Sequence, residues 1–358
     1  MAGYKERLTA DLDRWIAAGH VSADRREAIL TSVPDTRRLD AASALAWVGA
    51  ILLGVAVIAF IAANWDGLSR LARFSSVLAL FLVCAGAGAW AAHAGRQALS
   101  NGLLTLAALL FAAAIGLTGQ IFDIAGDPRA ALLMAGAAAS ALALAGRSSG
   151  AAIAALVFLA LSDGQSLGWF RQDSFAMPWT VIAAPIAGFL ALRWRTAPLA
   201  HAAALAIVFS FVWLAARFGA QTGMALLFLA VWLGALAAAA RWFRAQGRDY
   251  ADVFYGWFAW AALAFFALSN VDRPNTVFGA NPIAHRAVWL ALSVGAIALG
   301  RLDRHALVTA AGVVSLIGAI AVLLMDWGLN LTVAAGVFLV CAVAALIVGF
   351  SLRRRAKT

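Results

Sequence analysis

The chain has 358 residues, of which 64% are hydrophobic and 12% charged, and its formal net charge is +10. A soluble domain carries about 45–50% apolar and about 25% charged residues, so this composition excludes a soluble globular domain and a disordered chain. The basic balance does not describe a nucleic-acid groove either. Most arginines lie in short connections between apolar runs, where positive charge fixes membrane orientation.

In chain order, residues 1–40 contain no apolar stretch of the kind that opens a signal peptide and are expected on the cytoplasmic side. Leu8, Leu12, Trp15 and Ile16 recur at helical spacing. After the turn-like Ala18-Gly19-His20, a second short pattern contains Ala28, Ile29 and Leu30, so the segment reads as a helical hairpin. Ser22 is placed to cap the second helix and Pro34 to end it.

Apolar segments follow at about 41–63, 71–92, 98–118, 129–145, 150–162, 176–192, 198–215, 222–240, 252–269, 285–300, 306–324 and 328–350. They predict an all-α, polytopic transmembrane helix bundle of twelve spans. The fifth, Ala-Ala-Ile-Ala-Ala-Leu-Val-Phe-Leu-Ala-Leu, is shorter than the hydrocarbon thickness, and as a re-entrant or broken element it would leave eleven. With the N-terminus inside, 20 Lys and Arg fall on the cytoplasmic side and 7 outside, which favours twelve crossings with both ends inside. The expected organisation is a cytosolic hairpin at 1–40, a helix bundle at 41–350 and a basic cytosolic tail at 351–358.

Ala and Gly are abundant in the spans, as close helix approach in lipid requires, and ten tryptophans near span ends, among them Trp213 and Trp289, read as an interfacial belt. Cys84 and Cys341 lie in apolar stretches without a metal or disulfide spacing. The five histidines are scattered, and no nucleophile elbow, HExxH, Walker loop or dinucleotide fingerprint is present, so neither a cofactor nor a histidine-centred metal site is expected.

Carboxylates gather on the predicted outer side. Three end a span in related turns, Asn64-Trp65-Asp66-Gly67, Ser162-Asp163-Gly164 and Met325-Asp326-Trp327-Gly328, where Asp-Gly and Asn/Asp-Trp-x-Gly are also good turns with an interfacial Trp. Between Gly116 and Pro128 the apolar run is interrupted by Thr118, Gln120, Asp123 and Asp127. This reads as a broken helix end lining a polar cavity, or as a tight loop in which Asp127 caps a helix opened by Pro128. Arg70 and Arg73 face the same side and can pair with Asp66 or Asp123 or hold an anion. The candidate ligand-binding set is therefore Asn64, Asp66, Arg70, Arg73, Gln120, Asp123, Asp127 and Asp326. A long outward connection carries Asn270, Asp272, Arg273, Asn275, Asn281, His285 and Arg286 as a fixed loop or lid.

The hairpin with Ala18-Gly19-His20-Val21-Ser22, the Asn64-Trp65 pair and Gly119-Gln120-Ile121-Phe122-Asp123-Ile124-Ala125-Gly126-Asp127 together resemble the bacterial DUF2157 family of predicted membrane proteins over about residues 5–150. The resemblance implies an inner-membrane protein and no established activity. Three functions are compatible with these features: a transporter of a small solute, lipid or ion through a polar cavity opening outward; a sensor or assembly partner docking a cytosolic protein through residues 1–40; and an intramembrane enzyme on a lipid-linked substrate. The expected partners are membrane lipids and that cytosolic protein, with no nucleic acid.

Overall fold

The computed structural model describes residues 4–32, 69–122, 125–165, 177–217, 222–248, 250–270, 277–278 and 282–328, together with Gly67 and Gly336. The predicted spans at 41–63 and, apart from Gly328 and Gly336, at 328–350 lie outside these residues, as does the tail at 351–358. The chain divides into two compact units, Met1–Ser69 and Arg70–Thr358.

In the first unit, α1 (Tyr4–Ala17) is followed by a short 3-10 turn (Ala23–Arg25) and α2 (Arg26–Ser32). Gly19, at a φ of 73°, stops α1, and the His20 amide returns to the Trp15 carbonyl at 2.9 Å. Arg26 Nε donates to Asp13 Oδ1 at 2.8 Å and ties the two helices together.

The second unit contains ten described helices: α3 (Arg70–His93), α4 (Gln97–Phe122), α5 (Pro128–Gly146), α6 (Ser149–Gly164), α7 (Trp179–Trp194), α8 (Ala197–Arg217), α9 (Gly223–Ala245), α10 (Ala251–Leu268), α11 (Pro282–Leu302) and α12 (Ala306–Asp326). They correspond to the second through eleventh predicted segments. Eight are long and apolar enough to cross a membrane; α6 and α7, at 16 residues each, are shorter.

Consecutive helices pair as antiparallel hairpins, α3 with α4, α5 with α6, α7 with α8, α9 with α10 and α11 with α12. Four of these hairpins turn in the same way. The amides of Arg96, Ser148, Thr196 and His305 donate to the carbonyls of Ala91, Ala143, Ala191 and Gly300, five residues back, at 2.7–3.1 Å. The preceding residue is left-handed in each: Gly95, Arg147, Arg195 and Arg304, with φ of 70°, 50°, 54° and 51°. The carbonyls of Arg96, Ser148, Thr196 and His305 then accept the first bonds of the next helix, so each turn closes one helix and opens its partner in two residues. All four turns lie at the same, arginine-rich end of the unit.

The second helices of the hairpins pack in series, α4 on α6, α6 on α8, α8 on α10 and α10 on α12, forming a row with the first helices alongside. Small residues allow this approach. Ala139, Ala143, Ala151, Ala184, Ala191 and Ala200 are buried in the largest core cluster. A methyl group on Gly312 would stand 2.7 Å from the Ile297 amide nitrogen. Large apolar side chains such as Leu82, Phe189, Val231 and Leu302 are instead exposed, as helices facing lipid require. Trp213 and Trp289 depart from the expected belt: both are buried, because each indole N–H has an internal acceptor, the Asp163 carbonyl at 2.9 Å and Ser315 Oγ at 2.8 Å.

Candidate functional site

The antiparallel pairing brings the start of α3, the end of α4 and the start of α5 to the end of the unit opposite the arginine-rich turns. Arg70 and Arg73 occupy the first turn of α3, and Gln120 is exposed on the last turn of α4. Asp127 accepts from the Arg129 amide at 3.0 Å and caps α5, with Pro128 as its first residue. These four positions therefore share one end of neighbouring helices. Asp326 closes α12, the last of the described helices in the row, and engages Arg286 instead. Asn64, Asp66 and Asp123 lie outside the described residues.

A more deeply buried constellation joins α10, α11 and α12. Pro282 opens α11 with its φ already helical, so His285 and Arg286 fall within the first two turns rather than in the preceding connection. Both side chains are shut off from the surface, with residue exposures of 0% and 3%. Arg286 Nε donates to Asp326 Oδ2 at 3.0 Å, and its Nη1 donates to the Asn270 carbonyl at 3.2 Å and lies 2.9 Å from His285 Nδ1. His285 Nε2 lies 2.9 Å from the Phe266 carbonyl. A guanidinium can only donate and a carbonyl can only accept, so Nδ1 carries the lone pair and Nε2 the proton. The imidazole is thus the neutral Nε2–H tautomer, stacked on Phe266 with ring centroids 4.7 Å apart.

One and two turns further along the same face of α11, Trp289 Nε1 donates to Ser315 Oγ at 2.8 Å, and Ser293 Oγ, which donates to the Trp289 carbonyl at 2.8 Å, lies 3.0 Å from the same Ser315 oxygen. Arg286 stands about 6 Å from the start of the helix and Ser293 about 16 Å, at a rise of about 1.5 Å per residue. The polar ladder therefore runs from the helix end to mid-span. Its positions 285, 289 and 293 recur at i, i+4 and i+8, a signal in the sequence that assigning residues 270–286 to a loop conceals.

Other buried polar groups act as clamps. Asp163 is 1% exposed and accepts from the amides of Thr180 at 2.7 Å and Trp179 at 3.3 Å, so its charge meets the positive N-terminal end of α7. The Asp163-Gly164 pair thus ends a helix as expected, yet its carboxylate is a buried cap for another. At the arginine-rich end, Arg241 makes two bonds to the Asp303 carboxylate, at 2.6 and 3.0 Å, Tyr255 adds a third at 3.1 Å, and Arg244 donates to the Asp303 carbonyl at 2.7 Å. The Arg241 guanidinium holds the Asp303 carboxyl below its ordinary range. Asn101 Oδ1 receives Ser148 Oγ at 2.9 Å and the Gly150 amide at 2.9 Å, seating the α5–α6 turn on α4. Among the described residues, no three His, Cys, Asp or Glu side chains are grouped to hold a metal ion.

A row of apolar helices, eight of them long enough to cross a membrane, with the Arg286–Asp326 pair set among them defines a polytopic α-helical membrane protein. Residues 13–152 match the family described as Predicted membrane protein (DUF2157). The match takes in the Gly119–Asp127 segment and ends just past the α5–α6 turn, before the ladder on α11. No curated protein and no solved structure matched the chain.

Proposed function

We propose that the protein is a transporter of a small solute, lipid or ion in the bacterial inner membrane. It crosses twelve times, with residues 1–40 and the basic tail at 351–358 in the cytoplasm and the bundle between them at 41–350. The distribution of 20 against 7 basic residues supports that orientation. The observation that carries the reading is the Asp326–Arg286–His285 network with its continuation to Ser315 and Ser293. Ionisable groups inside a membrane are costly, and in transporters they line the path of a substrate or coupling ion. Asn64, Asp66, Arg70, Arg73, Gln120, Asp123 and Asp127 form the outer part of the site on this reading, with Asp326 at the mouth of the ladder.

The test is water access at mid-span. In a background with both native cysteines replaced, Ser293→Cys is treated from the outer side with a membrane-impermeant, water-soluble thiol reagent, with the lipid-facing Val314→Cys as control. Labelling of Ser293→Cys but not of Val314→Cys is expected. Equal inertness of the two overturns the transport path.

A second reading, partner docking through residues 1–40, is favoured by Trp15, which is 44% exposed on a short amphipathic helix whose Leu12 is buried. Deleting residues 1–35 then abolishes function and leaves the bundle folded.

A further inference from the structure

Between the end of α11 and the first turns of α12, the surface carries an open groove of about 560 Å³. Its walls are the apolar Ala306, Ala310, Val313 and Val314, and its mouth carries Arg301 and Arg304. The small side chains at 306 and 310 make the hollow. Arg304 sits at a φ of 51°, where glycine is the cheaper residue, and still presents an exposed cation there. The acid between the two arginines does not neutralise them, because the Asp303 carboxylate is occupied by Arg241 and Tyr255. Neither the Arg301 nor the Arg304 guanidinium makes a hydrogen bond or ion pair among the described residues. Two cations without a partner among the described residues thus stand at the mouth of an apolar groove that runs along a span-length helix from its end.

We propose that this groove binds one anionic phospholipid, its phosphate held by Arg301 and Arg304 and an acyl chain laid along Ala306, Ala310, Val313 and Val314. Charge complementarity selects an anionic headgroup, since guanidinium groups match phosphate with paired donors. The apolar walls select a lipid over a soluble phosphate, which would leave most of the groove unfilled. His305, which also lines the groove, is held in the turn: its Nε2 lies 2.9 Å from the Asp252 carbonyl and its Nδ1 accepts from the Val308 amide.

The experiment uses delipidated full-length protein in neutral detergent, titrated with phosphatidylglycerol or phosphatidylcholine and read by native mass spectrometry as the affinity of the tightest-bound lipid. Phosphatidylglycerol is expected to bind at least tenfold more tightly than phosphatidylcholine. Arg301→Gln or Arg304→Gly is expected to weaken it about fivefold, and the pair about thirtyfold, at the strength of one basic side chain near an anionic surface. Arg304→Gly suits the left-handed turn, so loss of lipid there is not loss of fold. Ala310→Trp, which fills the exposed hollow, is expected to weaken both lipids. Equal binding of the two lipids, or wild-type binding of phosphatidylglycerol by the double arginine variant or by Ala310→Trp, overturns the proposal. So does displacement of the lipid by equimolar glycerol phosphate, which would reduce the site to an anion site.

Discussion

Replacing Asp326 tests whether Arg286 is held in the bundle as a compensated charge. The guanidinium is 3% exposed at the side chain and the carboxylate 30%, with Nε and Oδ2 3.0 Å apart. At an effective dielectric near 20, a pair at this distance interacts by roughly 5 kcal/mol. The partial exposure of Asp326 reduces that, and the Asn270 carbonyl and His285 Nδ1 still receive the other donors, so Asp326→Leu should cost about 3 kcal/mol. Asp326→Asn keeps an acceptor oxygen and should cost about half as much, and Asp326→Glu the least. Cys84, a buried free thiol, supplies the assay: with Cys341 replaced, a thiol-reactive dye reports heat unfolding in detergent. The expected fall in midpoint for Asp326→Leu is roughly 6 °C. A change under about 1 °C, or a loss for Asp326→Asn equal to that for Asp326→Leu, would refute the reasoning.

Asp303 predicts an acid transition. Its folded carboxyl is held below the ordinary range, chiefly by its bonds to Arg241, so its contribution is present above the unfolded value near 4 and fades as pH falls through the lower folded value. Stability measured from pH 6 to pH 3 should fall more steeply in the wild type than in Asp303→Asn. Gly312→Ala should cost about 1–3 kcal/mol by the same dye assay, because its methyl group meets the backbone atoms Ile297 N at 2.7 Å and Ser293 O at 2.8 Å, which have no rotamer to move to. Arg147→Gly and Arg195→Gly should each stabilise by about 0.5 kcal/mol, since relief of a left-handed conformation exceeds the added freedom of glycine in the unfolded chain. An additive rise in midpoint for the double variant checks it.

Helix positions were legible because the spans are apolar nearly all round and their ends are marked by arginine, proline and aspartate. The Asp127-Pro128 pair marked the start of α5 from two residues alone. Packing partners were not legible for the same reason: a helix apolar on every face does not say which face meets a neighbour. The row formed by α4, α6, α8, α10 and α12 depends on alanines such as Ala151 and Ala200 that differ little from their lipid-facing neighbours in composition. The buried network was hidden by distance along the chain, since Phe266, His285, Arg286 and Asp326 come from three helices and Asn270 from the turn after α10. Arg286 also counted as an outer-surface charge in the topology argument, although its partner lies 40 residues away at the end of α12. Trp213 and Trp289 show the complementary limit: nothing in a tryptophan near a span end distinguishes an interfacial ring from one whose N–H has found a buried oxygen.

The α11–α12 hairpin is tied at both of its ends by charge. At the arginine-rich end, Asp303 in its turn is held by Arg241 and Arg244 of α9 and Tyr255 of α10. At the opposite end, Arg286 and Asp326 are bound to each other and, through the Asn270 and Phe266 carbonyls, to the end of α10. The polar ladder lies between these ties, with Ser293 near the middle. If the hairpin rocks against α10 during transport, opening one end requires loosening that end's tie while the other holds. Weakening the two ties should then move the exposure of Ser293→Cys in opposite directions. His285→Phe, which loses the bond to the Phe266 carbonyl of α10, should raise its rate of labelling from the outer side, and Asp303→Asn should lower it by favouring the state open at the arginine-rich end. A population shift of 1 kcal/mol corresponds to about a fivefold change in the open-to-closed ratio, well within a labelling measurement. Parallel changes in the two variants would mean that both merely loosen the bundle, and the hairpin would then be a fixed strut rather than a moving part.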